Sequence, residues 1–467
     1  MRQSIATSAR RSDIARSQTY GEAPPADVGD GLIGPLDRVR NGIWPQSVAV
    51  WMAAIYVALF ITRPWEQLWP ALGDWHFERL YAVAMIGTVL CTRGLRHIGA
   101  SQTLAVGAFL GALTVSWAFA KDPSLCWEPY YTYLTLVVFF MVLVAIVRTP
   151  YELVFMVACY VATMWLYLAK SLWEFFVHGQ HRYDQGVIRL VGIESTFGGP
   201  NALAMSIVVS MPMLVLLQRV RRDFCCEWPL RYEKWFKWGL WSYVVLALTS
   251  LTMTNSRSGM LGFVVFVLLM AFQRRNAAGK AYCLVGAIAL LALLWCVLPA
   301  EIQGRLRTIW DPDAGPHNAQ VSAEGRVEGF HAGMTMFRRF PLSGVGVGNF
   351  VDYRVKAVDG VPLQAHNLAG QLLGETGLCG AGGFLWLLWA LVGNYRRVKA
   401  AANRNCSATS DTLRQFAVAA QASVVLLLFA GLFGHNLYRF NWLWLAAFGL
   451  VAADCQRRLS KEKRDLA

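Results

Sequence analysis

The stretch YYTYLTLVVFFMVLVAIV at residues 130–147 contains no charged residue. A helix of about this length and apolarity crosses the hydrocarbon core of a bilayer, which needs roughly 20 residues. The whole chain of 467 residues has a similar character, because 56% of its residues are hydrophobic, 15% are charged and the mean hydropathy is +0.39. Soluble domains carry about 25% charged residues. The composition therefore excludes a soluble enzyme, a disordered chain and a small disulfide scaffold, and it predicts a polytopic membrane protein.

Other apolar stretches along the chain predict an all-α fold with about 12 transmembrane helices. The predicted spans are 47–62, 77–91, 101–119, 130–147, 151–169, 200–217, 236–254, 258–273, 281–299, 377–394, 415–434 and 440–455. Residues 47–455 would form the transmembrane domain. Residues 1–46 would form a mobile cytoplasmic tail, and residues 456–467 a basic cytoplasmic tail.

The distribution of the formal net charge of +14 predicts the orientation in the membrane. When the N-terminus is placed in the cytoplasm, about two thirds of the 43 Lys and Arg residues fall in cytoplasmic segments, and the outer segments are nearly neutral. This bias predicts that both termini are cytoplasmic and that the charge is not a nucleic-acid surface. The N-terminal segment has no apolar core of signal-peptide length, so the first span is expected to act as an uncleaved anchor.

The sequence predicts neither a metal site nor a bound cofactor. The ten cysteines include no C-x-x-C spacing and are expected to be small buried hydrophobic residues. The eight histidines show no H-E-x-x-H or similar metal-binding spacing. The glycine-rich run PLSGVGVGNF at residues 341–350 lacks the Lys-Ser/Thr that follows in a phosphate loop. It is expected to be a flexible or tightly packed turn.

Two outer segments are longer than a connection between neighbouring helices needs. One runs from about residue 170 to 200, and the other from about residue 300 to 365. The second is predicted to be a large periplasmic loop containing short helices, with a candidate helix at residues 324–340. Long loops in an otherwise compact membrane protein are usually functional, so the candidate site is sought on this face.

Two arginines lie where apolar spans meet the outer surface. Arg257 separates two predicted spans, and Arg189 precedes Pro200 and Asn201, where a helix is predicted to begin. Arginine at this depth is costly unless it snorkels, pairs or faces a polar cavity. Two guanidinium groups beside the N–H groups of a helix N-terminus suit a phosphate. The pattern predicts an anion site, with interfacial snorkelling or a structural salt bridge as the alternative for each arginine.

His366 follows a polar loop and opens a helical region that enters the membrane. A neutral imidazole at this place could accept a proton from a sugar hydroxyl, although a lone histidine is more often structural. Glu375 lies too far along the same helix to share a face with His366. Glu375 is expected to cap a helix or to pair with a loop arginine.

Several short motifs together resemble a known family. They are SRSGMLG at residues 256–262, PLSGVGVGNF at 341–350, HN at 366–367, ETGLCG at 375–380 and TFGGPN at 196–201. In order and spacing these motifs resemble the O-antigen ligase and O-antigen polymerase (Wzy-like) superfamily of bacterial inner-membrane proteins. Each motif alone is weak, and the match depends on their order and their common outer placement.

The resemblance, which covers roughly residues 185–395, implies a GT-C-like, metal-independent glycosyltransferase with a periplasmic active site. Such enzymes move a glycan from a polyprenyl (undecaprenyl) diphosphate carrier to lipid A-core, to another carrier-linked glycan or to a protein. By position, Arg189 and Arg257 would bind the diphosphate and His366 would be the general base. The implied supporting residues are Arg326, Asn201, Asn367 and Glu375. Gly199 departs from the family pattern, which often has Asn there, so the subgroup stays open.

Two functions from other classes remain as alternatives. A secondary transporter also has about twelve spans and intramembrane charges, but transporters place these charges near the bilayer midplane and show related halves. Here the charges cluster at the outer boundary and no internal repeat is evident. A scaffold protein would leave Arg257 and His366 without a reason. Within the enzyme class, transfer to lipid A-core is favoured slightly over polymerisation.

Overall fold

The computed structural model describes residues 44–66, 69–184, 187–193, 195–197, 199–226, 228–274, 276–297, 303–304, 307, 311, 317–405 and 407–465. The predicted N-terminal tail, except for residues 44–46, lies outside this described part. Within it, the fold is all-α apart from one short hairpin, in which β1 and β2 pair antiparallel.

The helices and strands follow one another along the chain with short connections. Their bounds are α1 Val48–Thr62, α2 Pro70–Asp74, α3 Phe77–Thr92, α4 Ser101–Ala118, α5 Trp127–Ile146, α6 Pro150–Val177, β1 Arg182–Asp184, β2 Val187–Arg189, α7 Pro200–Phe224, α8 Leu230–Met253, α9 Arg257–Phe272, α10 Ala277–Val297, α11 His317–Arg339, α12 Phe350–Ala357, α13 Leu368–Ala402, α14 Ala408–Ala430 and α15 Asn441–Asp465.

Seven helical segments in the described part are long and apolar enough to cross a membrane, so this is a multi-pass membrane protein. They are Val48–Glu66, Ser101–Ala118, Pro123–Ile146, Pro150–Val177, Pro200–Phe224, Leu368–Ala402 and Ala408–Ala430. The other five predicted spans also fall on helices, namely α3, α8, α9, α10 and α15. These helices are shorter or more polar, and the number of twelve crossings stays a prediction, as does the GT-C-like character.

Three boundaries differ from those predicted by hydropathy. Helix α6 continues to Val177, so the start of the first outer segment is helical rather than a loop. Helix α11 has 23 residues, begins at His317 and ends at Arg339, so it is longer than the short helix expected at 324–340. Helix α13 begins at Leu368 instead of 377. Its first turns are glycine-rich and partly polar, and they are buried against protein, which a hydropathy scale does not register.

Side-chain caps fix the helix starts next to the later site. The hydroxyl of Ser256 accepts a hydrogen bond from Gly259 N at 3.2 Å at the start of α9. The amide oxygen of Asn367 accepts from Gly370 N at 2.5 Å at the start of α13. Each cap satisfies an otherwise unpaired N–H of the first helical turn, and so each fixes the direction of the residue beside it.

Helix α13 is central and packs against α4, α11, α14 and α15. A chain of aromatic rings joins it to its neighbours: the ring centroids of Phe109 and Phe384 are 5.6 Å apart, and those of Phe384 and Trp442 are 5.3 Å apart. On the α11 side, a Cβ added at Gly333 would lie 2.5 Å from Gly370 O. The backbones of α11 and α13 therefore approach closely enough that only glycine fits there.

The glycine-rich run 344–348 is a tightly packed turn. Its three glycines, Gly344, Gly346 and Gly348, all have positive φ. Gly346 N donates to Glu375 O at 3.1 Å, and a Cβ added at Gly344 would lie 2.3 Å from the Glu375 carbonyl carbon. The glycines are therefore required for left-handed backbone and close approach to α13, which agrees with the expected packed turn.

Candidate functional site

A cavity of about 720 Å³ opens between the hairpin, the first turns of α7 and α9, helix α11 and the α14–α15 loop. Its polar lining residues are Arg182, Arg189, Asn201, Ser206, Ser258, Arg326, His366, His435, Asn436, Arg439 and Asn441. Met205, Val209, Leu427 and Ala430 add an apolar wall where α7 and α14 meet. The cavity is thus polar on one side and apolar on the other.

Arg189 is clamped by neutral acceptors. Its Nε donates to Thr254 O at 2.9 Å, and its Nη2 donates to Asn201 Oδ1 at 2.7 Å. The Asn201 oxygen also accepts from Ser256 Oγ at 2.8 Å. Although only 2% exposed, Arg189 lines the cavity, and these contacts hold its guanidinium at the N-terminus of α7.

Arg257 begins α9, immediately after the same turn. Asn255 adopts φ +49°, a left-handed conformation that asparagine tolerates better than most residues. Its side-chain amide donates to Ile188 O at 2.7 Å, which ties the α8–α9 turn to β2. Arg257 and Arg189 are therefore brought to the same turn, and Ser258, the residue after Arg257, lines the cavity.

Arg326 comes from α11 on another side of the cavity. Its guanidinium lies 5.8 Å from the centre of the Phe433 ring. Burial and, secondarily, the Arg257 charge lower the pKa of Arg326, so the two arginines are close enough to interact. Asn367 Nδ2 donates to Arg326 O at 3.4 Å, which joins this part of α11 to the start of α13.

His366 lies just before α13 with φ +50°, another left-handed non-glycine residue. Such conformations cost about 1–3 kcal/mol and cluster at functional sites. The imidazole is half-buried and lines the cavity. Burial, followed by the charges of Arg326 and Arg354, lowers its pKa below the ordinary value. The neutral form, which can accept a proton, is therefore favoured at neutral pH.

Glu375 does not line the cavity and does not pair with a loop arginine, contrary to the expected pairing. It is 1% exposed, and its carboxylate accepts from the Tyr438 hydroxyl at 2.6 Å. The reason is the helical spacing from His366, which turns Glu375 towards the protein interior. Glu375 thus connects α13 to the α14–α15 loop.

The structure adds four residues to the cavity that the sequence analysis missed, namely Arg182, His435, Asn436 and Arg439. Arg182 is paired in register with Arg189 across the hairpin. His435 follows the predicted span 415–434, and its ring centroid lies 5.6 Å from that of His366. The repeated His-Asn dipeptide at 366–367 and 435–436 was the available signal. Its spatial meaning required the fold.

The electrostatic character of the cavity is positive. Among the described residues that line it, four are arginines and none is Asp or Glu. Arginine forks match phosphate or carboxylate oxygens, so the arrangement can bind an anion beside an imidazole. Within the described part, no group of three or more His, Cys, Asp or Glu residues is placed to hold a metal ion.

A comparison with protein families matches residues 242–385 to the O-antigen ligase model. Over that segment, the chain belongs to the O-antigen ligase family. A search of curated proteins finds no match. The O-antigen ligase segment contains Arg257, Arg326, His366, Asn367 and Glu375.

The remaining candidates come from outside the O-antigen ligase segment. Arg189 and Asn201 precede it, and His435 and Arg439 follow it. The fold brings residues from both flanks to the cavity that Arg326 and His366 also line. Membership of the O-antigen ligase family supports a ligase- or polymerase-type, glycosyltransferase-like enzyme acting on glycan and lipid substrates.

Proposed function

We propose that this protein is an inner-membrane glycosyltransferase. It moves a glycan from a polyprenyl (undecaprenyl) diphosphate carrier to an acceptor hydroxyl on the periplasmic face, with lipid A-core as the acceptor. The observation that carries this proposal is the placement of His366 and Arg189 on one cavity, beside the Arg257 turn and inside an arginine-rich lining without carboxylates among its described members. The O-antigen ligase match supports the same reaction class.

The proposed donor fits both sides of the cavity. Arg189 and Arg257 would bind the diphosphate, whose oxygens match guanidinium donors. The apolar wall formed by Met205, Val209 and Leu427 would face the first part of the polyprenyl chain. A substrate with a charged head and an apolar tail is accommodated best where a polar cavity adjoins membrane-spanning helices.

The reaction would be a direct displacement. The acceptor oxygen attacks the anomeric carbon while the bond from this carbon to the phosphate oxygen breaks. The hydroxyl proton passes to His366, and the electron pair leaves with the diphosphate. Arg189 and Arg257 offset the charge that develops on this leaving group. One displacement inverts the configuration at the anomeric carbon.

The general base has to be neutral before the reaction. The cationic surroundings from Arg326 and Arg354 lower the pKa of His366 and favour this form. The same arginines disfavour the imidazolium that follows, so the proton must be released before the next turnover. Two arginines at the diphosphate supply the charge that a metal ion supplies in other transferases, and the proposed reaction is therefore metal-independent.

The proposed orientation follows from the charge bias of the sequence. Both termini would lie in the cytoplasm, because the Lys- and Arg-rich segments are retained there. The cavity, which lies at the opposite end of α6 from the basic segment around Arg148, would then face the periplasm.

A transfer assay with purified full-length protein tests the proposal. The protein would receive undecaprenyl-diphosphate-linked glycan and lipid A-core in the presence of EDTA. The expected result is glycosylated lipid A-core from the wild type and almost none from His366→Asn. His331→Asn is the matched control, since His331 is exposed on α11 and does not line the cavity.

The products separate the possible acceptors. A longer carrier-linked glycan would identify a polymerase, and a glycosylated added protein would identify a protein O-oligosaccharyltransferase of the same superfamily. No transfer to any of the three acceptors by a folded protein would overturn the proposed function.

A further inference from the structure

The α14–α15 loop, residues 431–440, contributes a cluster of cavity residues to which the proposed reaction assigns no role. Phe433, His435 and Asn436 all line the cavity. They lie beside His366 but belong neither to the diphosphate site nor to the O-antigen ligase segment. Their chemistry can be read from their contacts.

The loop is held in place from several directions. Leu437 N donates to Gln371 Oε1 at 3.3 Å, and the Tyr438 hydroxyl donates to Glu375 Oε2 at 2.6 Å. Arg439 Nη1 donates to Thr196 O at 2.7 Å. The loop is thus fixed to α13 on one side and to the segment before α7 on the other. A prearranged loop of this kind lowers the entropic cost of binding a ligand.

Asn436 carries an acceptor that is not used within the protein. Its side chain is 9% exposed, and its Nδ2 donates to Leu427 O at 2.8 Å. Because only the amide NH₂ can donate to a carbonyl, this bond fixes which end is Oδ1. Oδ1 is buried and has no hydrogen-bond partner among the described residues. A buried unpaired acceptor is costly by about 1–3 kcal/mol, so a ligand donor is favoured there.

The surroundings select the charge of that ligand. The carbonyl dipole of Asn436 repels anionic oxygens, whereas Arg326 and Arg439 on the same cavity repel cations. A neutral group that donates a hydrogen bond fits both conditions. Hydroxyl groups meet this requirement.

Two neighbouring side chains extend this requirement to a sugar ring. Desolvation, followed by the nearby His366 and Arg439, lowers the pKa of His435 to about 4. Its neutral imidazole has one donor and one acceptor, as a hydroxyl does. The Phe433 ring supplies an apolar surface on the same cavity, against which the C–H face of a sugar can pack.

We infer that Phe433, His435 and Asn436 form a subsite for the acceptor saccharide, in which His435 and Asn436 Oδ1 bind hydroxyls next to the one that attacks. The inference rests on the proposed function, because the attacking hydroxyl must reach His366. The ring centroids of His366 and His435 are 5.6 Å apart, and a single sugar ring can contact both imidazoles across this distance.

Steady-state kinetics on the full-length protein test this subsite. Lipid A-core is varied at saturating undecaprenyl-diphosphate-linked glycan, and then the donor is varied at saturating acceptor. His435→Gln and Asn436→Leu are each expected to raise the acceptor KM about three- to tenfold, the loss expected for one hydrogen bond, with the donor KM unchanged. The matched control, His331→Gln, is expected to change neither constant.

Three outcomes would overturn the subsite. One is an unchanged acceptor KM in both variants. Another is a rise confined to the donor KM, which would place the donor sugar at this loop instead. The third is an equal rise in both constants, which indicates general distortion of the cavity.

A binding measurement keeps the test independent of turnover. Saturation-transfer difference NMR would use core oligosaccharide freed from its lipid A and full-length protein in detergent. We expect transfer to sugar protons in the wild type and in His331→Gln, and weaker transfer in His435→Gln. Equal signals in all three proteins, or none in the wild type, would contradict the subsite. Failure of the wild type to transfer any glycan would instead contradict the proposed function.

Discussion

Both ends of the helix bundle contain several arginines, but the partners of these arginines differ. At the end away from the cavity, Arg96 Nη1 lies 3.1 Å from Asp454 Oδ2, and Arg93 Nη2 lies 3.3 Å from Glu152 Oε1. Arg96 also donates to Val144 O at 2.7 Å. Each of these arginines is therefore matched with a carboxylate, and Arg96 in addition binds a carbonyl near the end of α5.

At the cavity end, the arginines that line the cavity have no carboxylate beside them among the described lining residues. Arg189 is held by the oxygens of Thr254 and Asn201, and Arg439 by that of Thr196. Neutral acceptors fix the position of a guanidinium without cancelling its charge. Positive charge therefore remains for an anionic ligand.

This difference separates two uses of the same residue type. An arginine paired with a buried carboxylate contributes to folding, because removal of either partner leaves the other without compensation. An arginine fixed by neutral groups beside a cavity contributes to ligand binding. Substitutions at the cavity end should therefore reduce transfer, and those at the opposite end should reduce stability.

The largest effect is expected for His366→Asn. Asparagine tolerates the left-handed backbone of this position but cannot act as the base. Transfer, measured as kcat, should fall by about 10²- to 10⁴-fold, with an unchanged melting temperature. Activity within a few-fold of the wild type would show that another group takes the proton.

A smaller loss is expected for Arg257→Gln, which removes the charge at the start of α9. The value of kcat/KM for the donor should fall by about 10²-fold, as for the loss of one charged contact to a leaving group. Arg257→Lys should retain part of the activity, because the charge stays while the fork of donors is lost. Equal activity of all three proteins would remove Arg257 from the diphosphate site.

At the opposite end, Arg96→Gln should change stability instead of transfer. The substitution leaves Asp454 and the carbonyl of Val144 with fewer donors, which should lower the free energy of unfolding by about 1–3 kcal/mol. Thermal unfolding in detergent measures this change, and kcat should stay within about twofold of the wild type. A selective loss of kcat without a change in stability would contradict the division between the two ends.

The smallest effect is expected in the pH profile of Arg326→Gln. Burial and then the Arg326 charge lower the pKa of His366, so removal of this charge should raise that pKa. The base would then become protonated at a higher pH, and the acid limb of the kcat/KM profile would move up by less than about one unit. Arg326→Lys, which keeps the charge, should leave the limb in place. A downward shift in Arg326→Gln would contradict this electrostatic coupling.

Much of the helix arrangement follows from local sequence. The run 130–147 lies almost entirely within α5, and Pro200 begins α7 as its position predicted, because apolar length and helix-start signals are local properties. Helix α13 was predicted to start too late because Gly370, Gly374 and Gly377 weaken its apolar signal. These glycines are explained by close contact with α11 and with the turns around Phe350 and Leu342, which hydropathy does not include.

The sequence by itself determined which residues were candidates. Arg189, Arg257 and His366 are conspicuous where polar residues interrupt or bound apolar spans. The tertiary structure alone decided which polar residues meet. It brought His435 to His366 and paired Arg96 with Asp454 across 358 residues of chain. The physical reason is that helix formation depends on neighbours along the chain, whereas the compensation of a charge depends on which groups the packed helices bring within a few ångströms.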